Sequence, residues 1–145
     1  MFRGVSSQLI EDACDSANTA LKGAREEQPV SKRIEAALDN FSVSLYRTLY
    51  ESPHGAELMD ENNRLCGDVA QQNYTNFQAM LAEEIEFAVV NEKLDLASAD
   101  VSPKEAAETI RYGAIGLKSG ATSTSQYQKR VQRFVRAYFA GLEQK

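Results

Sequence analysis

Apolar residues recur along this chain at intervals of three and four, and hardly anywhere at two. That spacing marks amphipathic helices, and it predicts six of them. The first runs from about Phe2 to Arg25, with Val5, Leu9, Ala13, Ala17 and Leu21 on one narrow stripe. The string Glu26-Glu27-Gln28-Pro29-Val30 ends it, because a residue ahead of proline is steered out of the helical region. The second opens with Ser31 as its cap and reaches about Glu51. Ile34, Ala37, Leu38, Phe41, Leu45 and Leu49 give it a wide apolar face, flanked by Tyr46 and Tyr50. Ser52-Pro53 starts a short third helix, with proline at its first position; it carries Ala56, Leu58, Met59 and Leu65 and ends near Cys66-Gly67. Asp68 caps a fourth, running to about Asn91, which turns Val69, Tyr74, Phe77, Met80, Leu81, Ile85, Ala88 and Val89 inward.

Residues 92–101 read as a loop. Ser102-Pro103-Lys104-Glu105 is a capping box with proline at the first helical position, a firm start for the fifth helix. Ala106, Ala107, Gly113, Ala114 and Gly116 make that helix rich in small residues, with Ile110, Ile115 and Leu117 supplying bulk, and Ser119-Gly120 stops it. Glycine inside a helix costs up to about 1 kcal/mol relative to alanine, so Gly113 and Gly116 imply that another helix crosses closely. The sixth helix, from Ser125 to about Leu142, has Tyr127, Val131, Phe134, Val135, Tyr138 and Leu142 on its apolar face. Phe139 and Ala140 add a second apolar edge, which suits a helix that packs on a partner as well as on its own core. The fold class is all-α: six helices in one domain over residues 1–145.

Composition narrows the function classes. A chain of 145 residues suits one domain, and 43% hydrophobic with 26% charged residues is ordinary for a folded protein. Cys14 and Cys66 stand far apart and form neither a disulfide framework nor a zinc motif, so a reducing, cytoplasmic setting is expected. No secretory signal or membrane-length apolar run is present. The net charge of −5 is unevenly spread: from Lys118 onward six basic residues face one acid, whereas residues 1–117 hold ten bases and twenty acids. An acidic body argues against gripping nucleic acid directly. The basic end reads as a solvated helix face or the answer to an acidic neighbour.

Candidate chemistry is sparse. Nucleophile elbows, phosphate loops and dinucleotide fingerprints are absent. Glu51-Ser52-Pro53-His54 matches the Glu-x-x-His of metal bundles in letters alone, since Pro53 spoils the helical spacing and no second copy exists. No catalytic residue, metal or cofactor is therefore expected. The converging faces of helices two, four and five offer Phe41, Leu45, Tyr46, Tyr74, Phe77, Met80, Leu81 and Ile110, which read either as solid core or as the wall of a cavity. Asn73 and Glu84 sit near the inward stripe where apolar residues belong. A buried carboxylate is costly unless paired, so Glu84 is expected to face a cationic ligand, to pair with Arg111, or to reach solvent.

The order of elements resembles the C-terminal ligand-sensing and dimerisation domain of TetR-type transcriptional regulators. Met1-Phe2-Arg3-Gly4-Val5 resembles the junction that opens the family's connecting helix. Arg33-Ile34-x-x-Ala37-Leu38 through Tyr50, and Ser52-Pro53-His54-Gly55-Ala56-Glu57-Leu58, resemble the helix and segment that follow. Ala106-Ala107-x-x-Ile110-x-x-Gly113-Ala114-Ile115-Gly116-Leu117-Lys118 resembles the interface helix, and Phe134 to Leu142 the closing helix. The family's N-terminal helix-turn-helix has no counterpart here, which is expected either of a chain trimmed from a longer one or of a natural stand-alone sensor domain. The resemblance implies a homodimer whose last two helices form a four-helix bundle, with Gly113, Ala114, Gly116, Leu117, Tyr127, Val131, Phe134, Val135 and Tyr138 at the interface. It also implies a small, mostly apolar organic effector, oriented by Asn73 or Glu84. Binding would shift the spacing of two DNA-reading heads that must dock about one helical turn apart, and so release DNA, as in a repressor. A helical dimerisation module with a filled core, pairing with a full-length regulator, is the alternative. A closed core between helices two, four and five would favour it.

Overall fold

The break at Pro29 separates α1 (Phe2–Gly23) from α2 (Val30–Leu38) in the computed structural model, which describes residues 2–23, 25, 27–51, 57, 67–92 and 94–143. A five-residue π turn, Asp39–Val43, continues α2 into α3 (Ser44–Glu51). Then follow α4 (Gly67–Asn91), α5 (Pro103–Gly116) and α6 (Thr124–Ala140). The expected third helix, with His54, Met59 and Cys66, lies outside the described residues. So do the side-chain placements expected for Val5, Leu9, Leu49, Tyr50 and Val69.

The helix starts differ in chemistry. At α5 the capping box forms as read: the Glu105 N–H donates to Ser102 Oγ at 3.1 Å, and the Ser102 N–H donates to Glu105 Oε1 at 3.0 Å. These hydrogen bonds hold the Glu105 carboxyl below its ordinary range. α6 starts at Thr124, one residue before the expected Ser125, and Ser123 caps it by accepting from the Gln126 N–H at 3.1 Å. At α2 the cap position is Pro29 rather than Ser31, and no local side chain serves it. Glu92 does so from 62 residues away, accepting from the Val30 N–H at 2.8 Å. That places a carboxylate at the positive end of the helix dipole.

The π turn interrupts a helix that the sequence presents as uniform. The Ser44 N–H reaches back five residues to the Asp39 carbonyl, so one residue more than an α-turn allows is accommodated. Phe41 and Val43 are both buried in consequence, and Leu45 and Tyr46 stay buried beyond the turn.

Buried apolar side chains from all these helices meet in one core cluster, with α1 packed on α2 and α4, and α5 along α4. The loop after α4 joins it through Leu94 and Leu96, and Leu94 bridges to Glu143 in an isolated antiparallel pair. Gly120, at φ +75°, takes the left-handed turn that follows α5, the stop read at Ser119-Gly120. No helix among the described residues is long and apolar enough to cross a membrane.

Candidate functional site

Two elements deliver aromatic side chains to one place, and a third closes it. Phe41, from the π turn, stacks on Phe77 of α4 with centroids 4.3 Å apart and planes 15° from parallel, and meets Tyr74 edge-on at 5.3 Å. Leu45 stands one turn further along. α5 closes the third side with Arg111 and Ile115, and Lys118 follows just past its end. Among the ten side chains expected to line a cavity, Phe41, Leu45, Tyr74 and Phe77 do so. The space they leave is only about 10 Å³, room for roughly one water.

The other six lie elsewhere. Ile110 and Leu81 are fully buried core, and Met80 packs against that core from the rim. Tyr46 turns to Tyr127, ring centroids 4.8 Å apart. Asn73 is half-buried, and its backbone carbonyl accepts from Cys14 Sγ at 3.9 Å. That thiol is pushed up by burial, with Asp15 adding to the effect.

Glu84 is indeed inward, but Arg111 is not its partner. The buried Arg33 donates through Nη1 to Glu84 Oε1 at 2.6 Å, and Arg25 donates through Nε at 2.8 Å and through Nη2 to Oε2. Arg33 also donates to the Leu21 carbonyl at 3.1 Å and to Glu92 Oε2 at 2.5 Å. Arg25 lies over the Phe87 ring at 4.6 Å. Two arginines answer the carboxylate within the chain, so Glu84 does not orient a ligand. The network ties the α1–α2 connection to α4.

Arg111 is held differently. It donates through Nη1 to Gln78 Oε1 at 2.9 Å and lies over Tyr74 at 5.5 Å and Tyr112 at 4.9 Å. Its Nε is buried and has no hydrogen-bond acceptor among the described residues, and the residue is only 9% exposed. Lys118, on the same cavity, makes no ion pair among the described residues, and burial lowers its proton affinity. Burial raises the Tyr74 hydroxyl, with the Arg111 cation working against it. Sequence reasoning missed both cations, although Ala107, Arg111, Ala114 and Lys118 repeat at four-three-four spacing on the inward stripe of α5. Charged residues on such a stripe are the signal.

The residues expected at a dimer interface divide. Tyr127, Val131, Val135 and Ala114 are fully buried inside the protomer, and Tyr127 donates its hydroxyl to the Ala114 carbonyl at 2.9 Å. They are core of a single chain, so they leave the interface set. Gly113 permits a close approach, but to Phe134 of the same chain: a Cβ there would meet the ring at 2.5 Å. Among the described residues, nothing comes within 4 Å of where a Cβ on Gly116 would sit. Gly116, Leu117 and Phe134 border an open groove of about 620 Å³, and Tyr138 stands half-buried beside Phe134. The basic segment answers acids and carbonyls of its own chain: Arg136 donates to Glu35 at 3.3–3.4 Å, and Arg130 caps α5 through the Leu117 and Ser119 carbonyls.

No family model, no curated protein and no solved structure matches the chain.

Proposed function

We propose that these residues form the effector-binding and dimerisation domain of a TetR-type transcriptional regulator, cytoplasmic and not an enzyme. The observation that carries the reading is the aromatic cavity where the π turn, α4 and α5 converge, with two cations on its wall that no acid among the described residues answers. Aromatic walls with a few convergent polar groups are the usual make-up of small-molecule sites. In this reading the ligand biases a two-state equilibrium by about 1–3 kcal/mol, and a separate helix-turn-helix head makes the DNA contact. Dimerisation uses the outer faces of α5 and α6 around Gly116, Leu117, Phe134 and Tyr138, since the inner faces are consumed by the core.

The cavity volume of about 10 Å³ favours a second reading, a helical pairing module with a filled core. The mass of the native protein in its own cells, read with an antibody against this domain, separates the two. A product well above 16.1 kDa carries the regulator reading forward. A product at 16.1 kDa removes it and leaves the pairing module.

A further inference from the structure

We propose that the cavity between Arg111 and Lys118 is a carboxylate seat, and that its ligand is a flat, mostly apolar organic acid. The proposal rests on the sensing reading and goes beyond it, because the family resemblance implies only a small, mostly apolar effector oriented by Asn73 or Glu84.

The two buried arginines, Arg33 and Arg111, are unequally answered. A buried guanidinium is costly unless its donors and its charge are answered. Arg33 meets that demand with two carboxylates and two backbone carbonyls. Arg111 has one amide oxygen, two aromatic faces and an orphaned Nε. Lys118 adds a second positive charge to the same cavity, and none of the described side chains lining it is acidic. A carboxylate supplies both missing things, because its oxygens accept from a guanidinium edge and its charge answers two cations. Phosphate would satisfy the charge equally well. The rest of the wall decides between them: Phe41, Tyr74, Phe77 and Ile115 offer an apolar surface that suits a flat organic body and gives a hydrated inorganic ion nothing. Admission requires movement at the mouth. Ile115 is 42% exposed and stands at the mouth, so its side chain swings outward to admit the ligand body, while Lys118, just past the end of α5, stays beside the carboxylate.

The test is calorimetric titration of the 145-residue chain with benzoate, benzamide and inorganic phosphate. Benzoate is expected to bind at least about tenfold more tightly than its uncharged isostere benzamide, the scale of a charge-assisted hydrogen bond. Arg111→Gln is expected to weaken benzoate by about 10–100-fold, and Lys118→Gln by about 3–10-fold, with benzamide unchanged. Lys118 lies at the mouth, so its variant folds even where Arg111→Gln does not, and it decides the matter alone. Three results overturn the proposal: no saturable heat with benzoate, equal binding of benzoate and benzamide, or binding that ignores both substitutions. Phosphate binding as tightly as benzoate removes the organic body from the assignment. The regulator reading fails separately, on a native mass of 16.1 kDa, whatever benzoate does.

Discussion

Neighbouring glutamates on α4 provide an internal comparison. Glu84 is completely buried between Arg33 and Arg25, whereas the Glu83 side chain is 60% exposed and stands 3.8 Å from Lys22 and from Arg25. Glu84→Gln keeps the volume and removes the charge. Two guanidiniums then share one neutral carbonyl, and the second position becomes an amide whose donors face donors. Removing one partner from a buried pair typically costs 3–5 kcal/mol. Glu92 still answers Arg33, so the expected loss is at the lower end, about 3 kcal/mol, or about 6–12 °C in Tm for a chain of this size. Glu83→Gln should cost less than about 0.5 kcal/mol. Urea unfolding at low and at 1 M salt separates the two, because screening erases the exposed pairs and leaves the buried one. A Glu84→Gln loss below about 1 kcal/mol, or one that matches Glu83→Gln and vanishes with salt, would refute the claim that this network holds the α1–α2 connection to α4.

Four further outcomes are expected. Phe77→Ala opens the stacked contact with Phe41 and should cost about 3–5 kcal/mol in urea, a stability effect that precedes any change in ligand response. Ser102→Ala removes the side-chain half of the capping box and should cost about 1 kcal/mol by the same assay. Glu105 is held below its ordinary range, so its contribution is present above the unfolded value and is lost as pH falls through the folded one; the stability gap between the native chain and Glu105→Gln should therefore be open at neutral pH and close in acid. Phe134→Asp places a charge beside the outer groove and should convert a dimer to a monomer in light scattering, and a persisting dimer would take α6 out of the interface.

How much of this was legible depends on how far apart the cooperating residues lie. Helix existence and type follow from spacing, and the α5 start follows from a four-residue string whose hydrogen bonds are local. The inward position of Glu84 was also legible, because a period can be read past a polar residue. Its partners were not: Arg25 and Arg33 lie more than 50 residues away, and no local pattern prefers them to Arg111. The long-range cap of α2 by Glu92 fails to show for the same reason. The interface assignment erred in another way. An apolar stripe on α6 looks the same whether it faces a partner or the chain's own core, and here Tyr127, Val131 and Val135 face the core. At the cavity the aromatic residues were legible by type, but Arg111 read as a partner for Glu84 rather than as cavity wall, and Lys118 as part of a solvated basic face, since long cationic side chains usually reach solvent.

The five residues from Asp39 to Val43 also set the chain's tolerance to changes in length. Losing one residue from an ordinary α-helix turns everything beyond it by about 100°. At Glu35 or Ala36 such a loss would swing Leu45 and Tyr46 out of the core. Inside the π turn the extra residue is already absorbed as a bulge. A deletion there removes the bulge and leaves both flanks in phase. Among single-residue deletions in the stretch from Val30 to Glu51, this is the one the fold should survive.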